Sequence, residues 1–407
     1  MSSTLTSDST RDGAAVLVPF AVDVPEADLD DLHRRLDATV WPGQRPDAGW
    51  SRGTDLDYLR RLVKYWREEF DWRAAERRIN KLSHYIADID GISVHFSRTE
   101  SVSSNSIPLL VLHGWPSSFA EMDKLIGRLA DPTRYGGEAG DGFDVIVPSL
   151  PGFIFSELYP ATGMDLAGMA RVLHRLMEEL GFRKYAVHGG DVGAGVAAAL
   201  SSLYPEAVLG IHVTSVALVS PAAVEDERPL TDAESAYVEG RKTWMGTEGA
   251  YYQVQSTKPQ SLSYGLTDSP VGLAAWVAEK FHAWSDTSQG FEKTFTMDEL
   301  LTTISLYWFT HSIGSASEFY FESRAKPLVL KRDVKLQGVN GVAVFPADIS
   351  LPPREWAERI MIVSRYTAMP RGGHFAALEE PDLLAQEIRH TFRPLRAATA
   401  SDSVRRP

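Results

Sequence analysis

The chain has 407 residues, of which 44% are hydrophobic, 23% charged and 10% aromatic, a make-up that excludes a disordered or collagenous chain and leaves room for two or three domains of about 150 residues. A net charge of −13 would repel phosphate backbones and anionic bilayer faces, so nucleic acid and membrane surfaces are set aside as partners. The absence of cysteine removes disulfides, thiolate metal sites and a cysteine nucleophile together.

Residues 1–15 and 396–407 are polar and show no apolar period, and they are read as frayed, disordered tails. The first twenty residues lack a basic segment ahead of an apolar core, and no run approaches the roughly 18 apolar residues of a membrane span, so a cytoplasmic protein is expected. Residues 16–100 are predicted to form an N-terminal extension followed by a hairpin through which the chain enters the sheet. A short helix is placed over Glu26–Ala38. A longer one runs from Asp55 to about Asp71, where Leu59, Leu62, Val63, Trp66 and Phe70 recur at helical spacing behind Thr54 and Asp57, a capping-box pattern. Asp90-Gly91 suits a tight turn between strands His84–Asp88 and Ile92–Ser97.

Short continuous apolar runs then alternate with helical segments, as in strands buried on both faces of a mostly parallel sheet. Strands are placed at Pro108–Leu112, Val145–Val147, Tyr185–His188, Leu209–Val213, Val342–Phe345 and Arg359–Val363, with helices at Asp165–Leu180, Val192–Leu203 and Pro381–Phe392. This gives an α/β core over 101–220 and 326–395. The aromatic-rich insertion 221–325, with helices Pro270–Trp284 and Asp298–His311, reads as a helical lid over the carboxyl ends of the strands.

Gly189-Gly190-Asp191-Val192-Gly193 follows a predicted strand and opens a predicted helix, the setting of a nucleophile elbow, with Asp191 at the nucleophile position. The turn would expose the carboxylate beside the positive end of the helix, where it stays ionised. His113-Gly114-Trp115-Pro116 follows another strand, so the N–H groups of Trp115 and Val192 can converge as an oxyanion hole, and Pro116 is a candidate for a cis bond. Taken alone, each motif is also an ordinary glycine-rich turn. Among eleven histidines, His33, His174, His282 and His390 lie in helices and are assigned structural roles, as are His113 and His188. His374 lies in a glycine-bracketed loop late in the chain and is the predicted base. Asp348, just past a strand end, is its predicted orienting acid, with Glu355 as the weaker candidate.

Together these residues resemble the α/β-hydrolase epoxide hydrolases, in the microsomal-type branch with an N-terminal extension. The similarity runs from about Pro19 to Pro394 and includes Val40-Trp41-Pro42, the HGWP turn at 113–116, the GGDVG elbow at 189–193, YYQVQSTKP from Tyr251, Asp268-Ser269-Pro270, Tyr307-Trp308, Phe319-Tyr320 and GGHF at 372–375. The resemblance implies the α/β-hydrolase fold and two lid tyrosines, Tyr251 and Tyr320, with Tyr252 as the alternative register for the first. Their hydroxyls would hold an oxirane oxygen and donate a proton as the ring opens. It also groups the chain with the soluble microbial members rather than the anchored animal ones. Such relatives include enzymes of natural-product biosynthesis, enediyne antibiotic pathways among them, and detoxifying enzymes.

The expected reaction turns an epoxide, of an aryl or bulky apolar kind, into a vicinal diol. An ester would form on Asp191 and be hydrolysed by water that His374 deprotonates, Asp348 holding the imidazole. No organic cofactor or metal is expected, since HExxH, GxxxxGK[ST] and a strand-following GxGxxG are all missing from the sequence. The partner would be a small-molecule epoxide, and a homodimer is the assembly envisaged. The alternatives are a haloalkane dehalogenase-like hydrolase and a catalytically silent small-molecule binding protein. An Asp at position 191 excludes a serine esterase at this elbow.

Overall fold

The structure, a computed structural model, describes residues 17–160, 163–215, 228–330 and 335–403. The tail 1–15, residues 221–227 of the lid span and the last four residues lie outside the described residues. Among the described residues nine strands form one sheet: β1 (Val18–Phe20), β2 (Ser83–Ile89), β3 (Ile92–Thr99), β4 (Ile107–Leu112), β5 (Phe143–Pro148), β6 (Tyr185–Gly189), β7 (Val208–Val213), β8 (Leu336–Val344) and β9 (Met361–Ala368), in the order β1-β2-β3-β5-β4-β6-β7-β8-β9. The first three are antiparallel and join the edge of a parallel block that begins at β5. The β2–β3 turn puts both Asp90 (φ 54°) and Gly91 (φ 84°) in the left-handed region, the backbone of a two-residue hairpin. In the centre, Leu109 to Leu112 and Tyr185 to Val187 are completely buried, which is why these strands are apolar without alternation.

Several predicted boundaries move. Arg359 and Ile360, predicted to start a strand, end the helix Arg354–Ile360, and β9 begins only at Met361. Trp356, Ala357 and Ile360 are its buried face, and the guanidinium of Arg359 grips the Glu234 carboxylate at 2.5 and 2.9 Å. The second helix covers Leu56–Glu68, capped by Asp55, whose carboxylate accepts the Tyr58 N–H at 2.8 Å. Thr54 therefore does not cap it; its hydroxyl donates to the Ala275 carbonyl in the lid. Asp71 caps a further helix, Trp72–Ile79, absent from the predicted elements. Strand β8 starts at Leu336, ahead of the expected Val342, and the last helix runs over Pro381–Ser403, through the expected start of the second tail.

Seven helices lie between β7 and β8 in the described residues, from Asp232–Thr247 to Ile313–Ala325. They rest on the loops that leave the carboxyl ends of the strands: Tyr307 donates to the Ser117 carbonyl after β4, Ser315 to the Gly152 carbonyl after β5, and the Trp284 carbonyl accepts the N–H of His374 after β9. The N-terminal helices pack on the outside of this lid. Arg35 donates to the Asp268 carbonyl, Tyr65 to the Asp298 carboxylate, and Arg61 pairs with Glu292.

Candidate active site

Asp191 sits where β6 ends and the helix Asp191–Leu203 starts, at φ 47°, so its side chain is turned away from the sheet backbone. Two glycines permit this. A Cβ on Gly193 would stand 2.5 Å from the Leu112 carbonyl oxygen at the end of β4, and one on Gly114 would stand 2.4 Å from the Asp191 Cβ. The elbow and the HGWP turn thus close on each other, with the Trp115–Pro116 bond cis. As a result the Trp115 N–H donates to Asp191 Oδ1 at 2.9 Å. The Val192 N–H belongs to the first helical turn, where no intrahelical carbonyl is available to it.

His374 Nε2 lies 3.6 Å from Asp191 Oδ2, and His374 Nδ1 lies 2.7 Å from Asp348 Oδ1. Three features fix this loop. The His374 N–H donates to the Trp284 carbonyl at 2.8 Å, Ala347 and Gly373 form a β-bridge, and the Gly372 N–H reaches Asp286. The structure therefore brings together the predicted nucleophile, base and acid. Glu355 does not join them: it lies on the helix Arg354–Ile360, and its carbonyl accepts from Arg228. His113 receives the Leu150 N–H on Nε2, so its Nδ1 carries the proton and donates to the Gly114 carbonyl; burial pulls its pKa down to about 4. His188 faces His212 within the sheet.

Burial opposes charge on His374, but the carboxylates of Asp348 and Asp191 outweigh it and hold the imidazole well above its usual range. In Asp191→Asn one of those carboxylates is lost, so the His374 pKa falls. A histidine NMR titration of that variant against wild type checks the direction.

Tyr251 and Tyr320 are both buried over the elbow. The Tyr251 ring stacks on Trp115 at 5.2 Å and 3°, while Tyr320 meets the same indole edge-on at 5.8 Å and 87°. Tyr252 is half-buried and packs on Tyr320 without touching Trp115 among the ring contacts described, which favours the Tyr251 register. Burial, then the nearby Asp191 charge, pushes the Tyr251 phenol well above 10; burial and Tyr251 itself do the same to Tyr320.

Sequence reasoning missed several neighbours. Trp284, which the sequence shows only as the end of a helix in the aromatic-rich lid, is completely buried against His374, with ring centroids 5.2 Å apart. Glu121 is buried beside Ser117, and burial raises its carboxyl to about 7. With Asp191 and His374 these two line a cavity of about 20 Å³, enough for one water. Trp308 and Phe309 turn toward Arg35 and Trp72 of the N-terminal helices instead. Among the described residues no helix is long and apolar enough to cross a membrane.

A mostly parallel sheet, a strand-turn-helix elbow bearing a carboxylate and a late histidine paired with an acid define an α/β hydrolase of the aspartate-elbow kind. Residues 17–122 match the family model for the epoxide hydrolase N terminus, and residues 107–262 match that for the α/β-hydrolase fold. Epoxide hydrolase 1 of Sus scrofa is 35% identical over 402 residues, covering 91% of this chain and 87% of its own. The structure of Aspergillus niger epoxide hydrolase superposes with a TM-score of 0.81 at 29% identity, covering 94% of this chain and 97% of that one. Juvenile hormone epoxide hydrolase from the silkworm Bombyx mori gives a TM-score of 0.83 at 25% identity, covering 95% and 96%. The chain belongs to the microsomal-type epoxide hydrolases, and it is an epoxide hydrolase.

Proposed function

We propose that this enzyme converts an aryl or bulky apolar epoxide to a vicinal diol through an ester on Asp191 and water activated by His374. The observation that carries the reading is the division of labour between the two oxygens of one carboxylate. Oδ1 is held by the Trp115 N–H, while Oδ2 faces His374. Oδ2 attacks a ring carbon of the epoxide, and an ionised carboxylate needs no prior deprotonation to do so. Tyr251 and Tyr320 hold the oxirane oxygen and supply its proton. Water, deprotonated by His374, then attacks the ester carbonyl. Its oxygen is Oδ1, which the Trp115 N–H holds; the Val192 N–H joins as second donor when the oxyanion forms, and Asp348 stabilises the imidazolium.

If the phenols assist ring opening, Tyr251→Phe and Tyr320→Phe each slow it by about 10²-fold, and the double change nearly abolishes it. Single-turnover alkylation is the measurement, and unaltered rates in both variants would return the tyrosines to packing. The aromatic walls supplied by Trp244 and Trp284 beside Tyr251 support the aryl or bulky apolar class. Diol formation across a panel of aryl and aliphatic epoxides tests it, and a uniform preference for small aliphatic substrates contradicts it. Service in natural-product biosynthesis of the enediyne kind rests on the family resemblance alone and stands or falls with a preference for such bulky aryl epoxides.

A further inference from the structure

The two phenols over Asp191 do not stand in the same electrostatic surroundings. Lys280, on the lid helix Pro270–Ala283, is buried, and desolvating an ammonium is costly unless something replaces its water. Here three aromatic faces do so. Nζ lies 4.9 Å from the ring centroid of Tyr251, 5.6 Å from that of Trp284 and 5.7 Å from that of Trp276. Its one carboxylate partner among the described residues is the neighbouring Glu279, which is partly exposed. Arg241 adds a second positive charge whose field favours the Tyr251 phenolate. Tyr320 takes part in none of the cation–ring contacts of the described residues; besides burial, its neighbours Tyr251, Asp191, Tyr307 and Tyr252 all disfavour its phenolate.

We propose that Lys280 is a positioning residue that makes Tyr251 the proton donor to the opening epoxide, leaving Tyr320 to hold the oxygen and the Tyr251 hydroxyl. The inference rests on the roles given to the tyrosines above. A cation against the face of a phenol ring stabilises the phenolate more than the phenol, because the ring gains electron density as the proton leaves. In the ring-opening step the bond from Oδ2 of Asp191 to carbon forms, the carbon–oxygen bond of the oxirane breaks, and the Tyr251 proton passes to the released oxygen. Hydrolysis restores the enzyme. One proton of the water travels through His374 to the second diol oxygen, and the other, left on the Asp191 carboxyl, returns to the phenolate through solvent. The charged and titratable groups around Tyr251 are Asp191, Arg241, Tyr252 and Tyr320, with Lys280 over its ring and Glu279 paired to Lys280.

The test follows ester accumulation by mass in a His374→Gln background, so that only ring opening is read. Lys280→Met, which keeps the stem and removes the charge, should slow it about tenfold and move the alkaline limb of its pH profile to higher pH. Lys280→Arg should restore both. In Tyr251→Phe, Lys280→Met should change nothing further, whereas in Tyr320→Phe it should show its full effect. Glu279→Gln gives the opposite sign and keeps the idea testable should Lys280→Met not fold: removing the carboxylate that offsets Lys280 should move the alkaline limb to lower pH. An unmoved limb in these variants, or the same tenfold loss in the Tyr251→Phe background, overturns the proposal. A full effect of Tyr251→Phe with none from Lys280→Met overturns this inference alone, while an unchanged rate in Tyr251→Phe overturns the acid assignment beneath it.

Discussion

His374→Gln protein mixed with an epoxide gains the mass of that epoxide and keeps it. The glutamine cannot accept a proton from water, so ester hydrolysis slows by about 10²–10⁴-fold, the range of a lost general base. Ring opening, which uses Asp191 and the phenols, continues. The site is built for this separation. His374 faces Oδ2 at 3.6 Å, yet the other oxygen is held by a backbone N–H that the substitution leaves in place. Intact-mass spectrometry followed by peptide mapping should find the adduct on the peptide that contains Asp191. Wild-type turnover by this variant would remove His374 from the role.

Asp191→Asn should form no adduct and lose roughly 10⁴–10⁶-fold in turnover, the range seen when a member of a catalytic triad is removed. Loss of activity alone does not separate a nucleophile from a carboxylate that merely orients water, because both fail. Oxygen tracing in the wild-type enzyme does. Attack by Oδ2 sends a carboxylate oxygen into the diol, and hydrolysis refills the carboxylate from solvent. One turnover in ¹⁸O-water with excess enzyme should therefore yield mostly unlabelled diol and a labelled Asp191 peptide. Labelled diol with an unlabelled peptide would mean direct attack of water on the epoxide, and the ester would have to be abandoned.

The parts of the fold legible in the sequence are those whose physical cause is local. β4 and β6 announce themselves as apolar runs stopped by His113-Gly114 and by Gly189-Gly190, and the predicted limits fall within one residue of the observed ones. The elbow is legible for the same reason, since the chain must reverse there and glycine permits it. Arg359 was misplaced because Ile360 to Val363 is one unbroken apolar run in which the last helical turn and the first strand residues look alike. Asp348 could be named from its place after a strand, but only the fold sets its 2.7 Å contact with a residue 26 positions further on. The lid tyrosines carried no local mark and entered through the family resemblance. Trp284 is legible only as one aromatic residue of the lid, and Lys280 escapes altogether. Their meaning lies in contacts with His374 and Tyr251, and helix periodicity describes only which side of a helix is buried.

The docking of the N-terminal helices on the lid also orders events during folding. Arg35 meets Asp268, 233 residues later, and Thr54 meets Ala275, 221 residues later. During synthesis the first helices leave the ribosome long before the surface that covers Trp50, Tyr58 and Tyr65 exists. Closing loops of this length carries an entropic cost that only the finished interface repays, so the lid and the extension acquire their stability together and late. The parallel block from β4 to β7 has a shorter span to close and can assemble first. Partial unfolding should run in reverse, with lid and leading helices released as one cooperative unit from a sheet that stays intact.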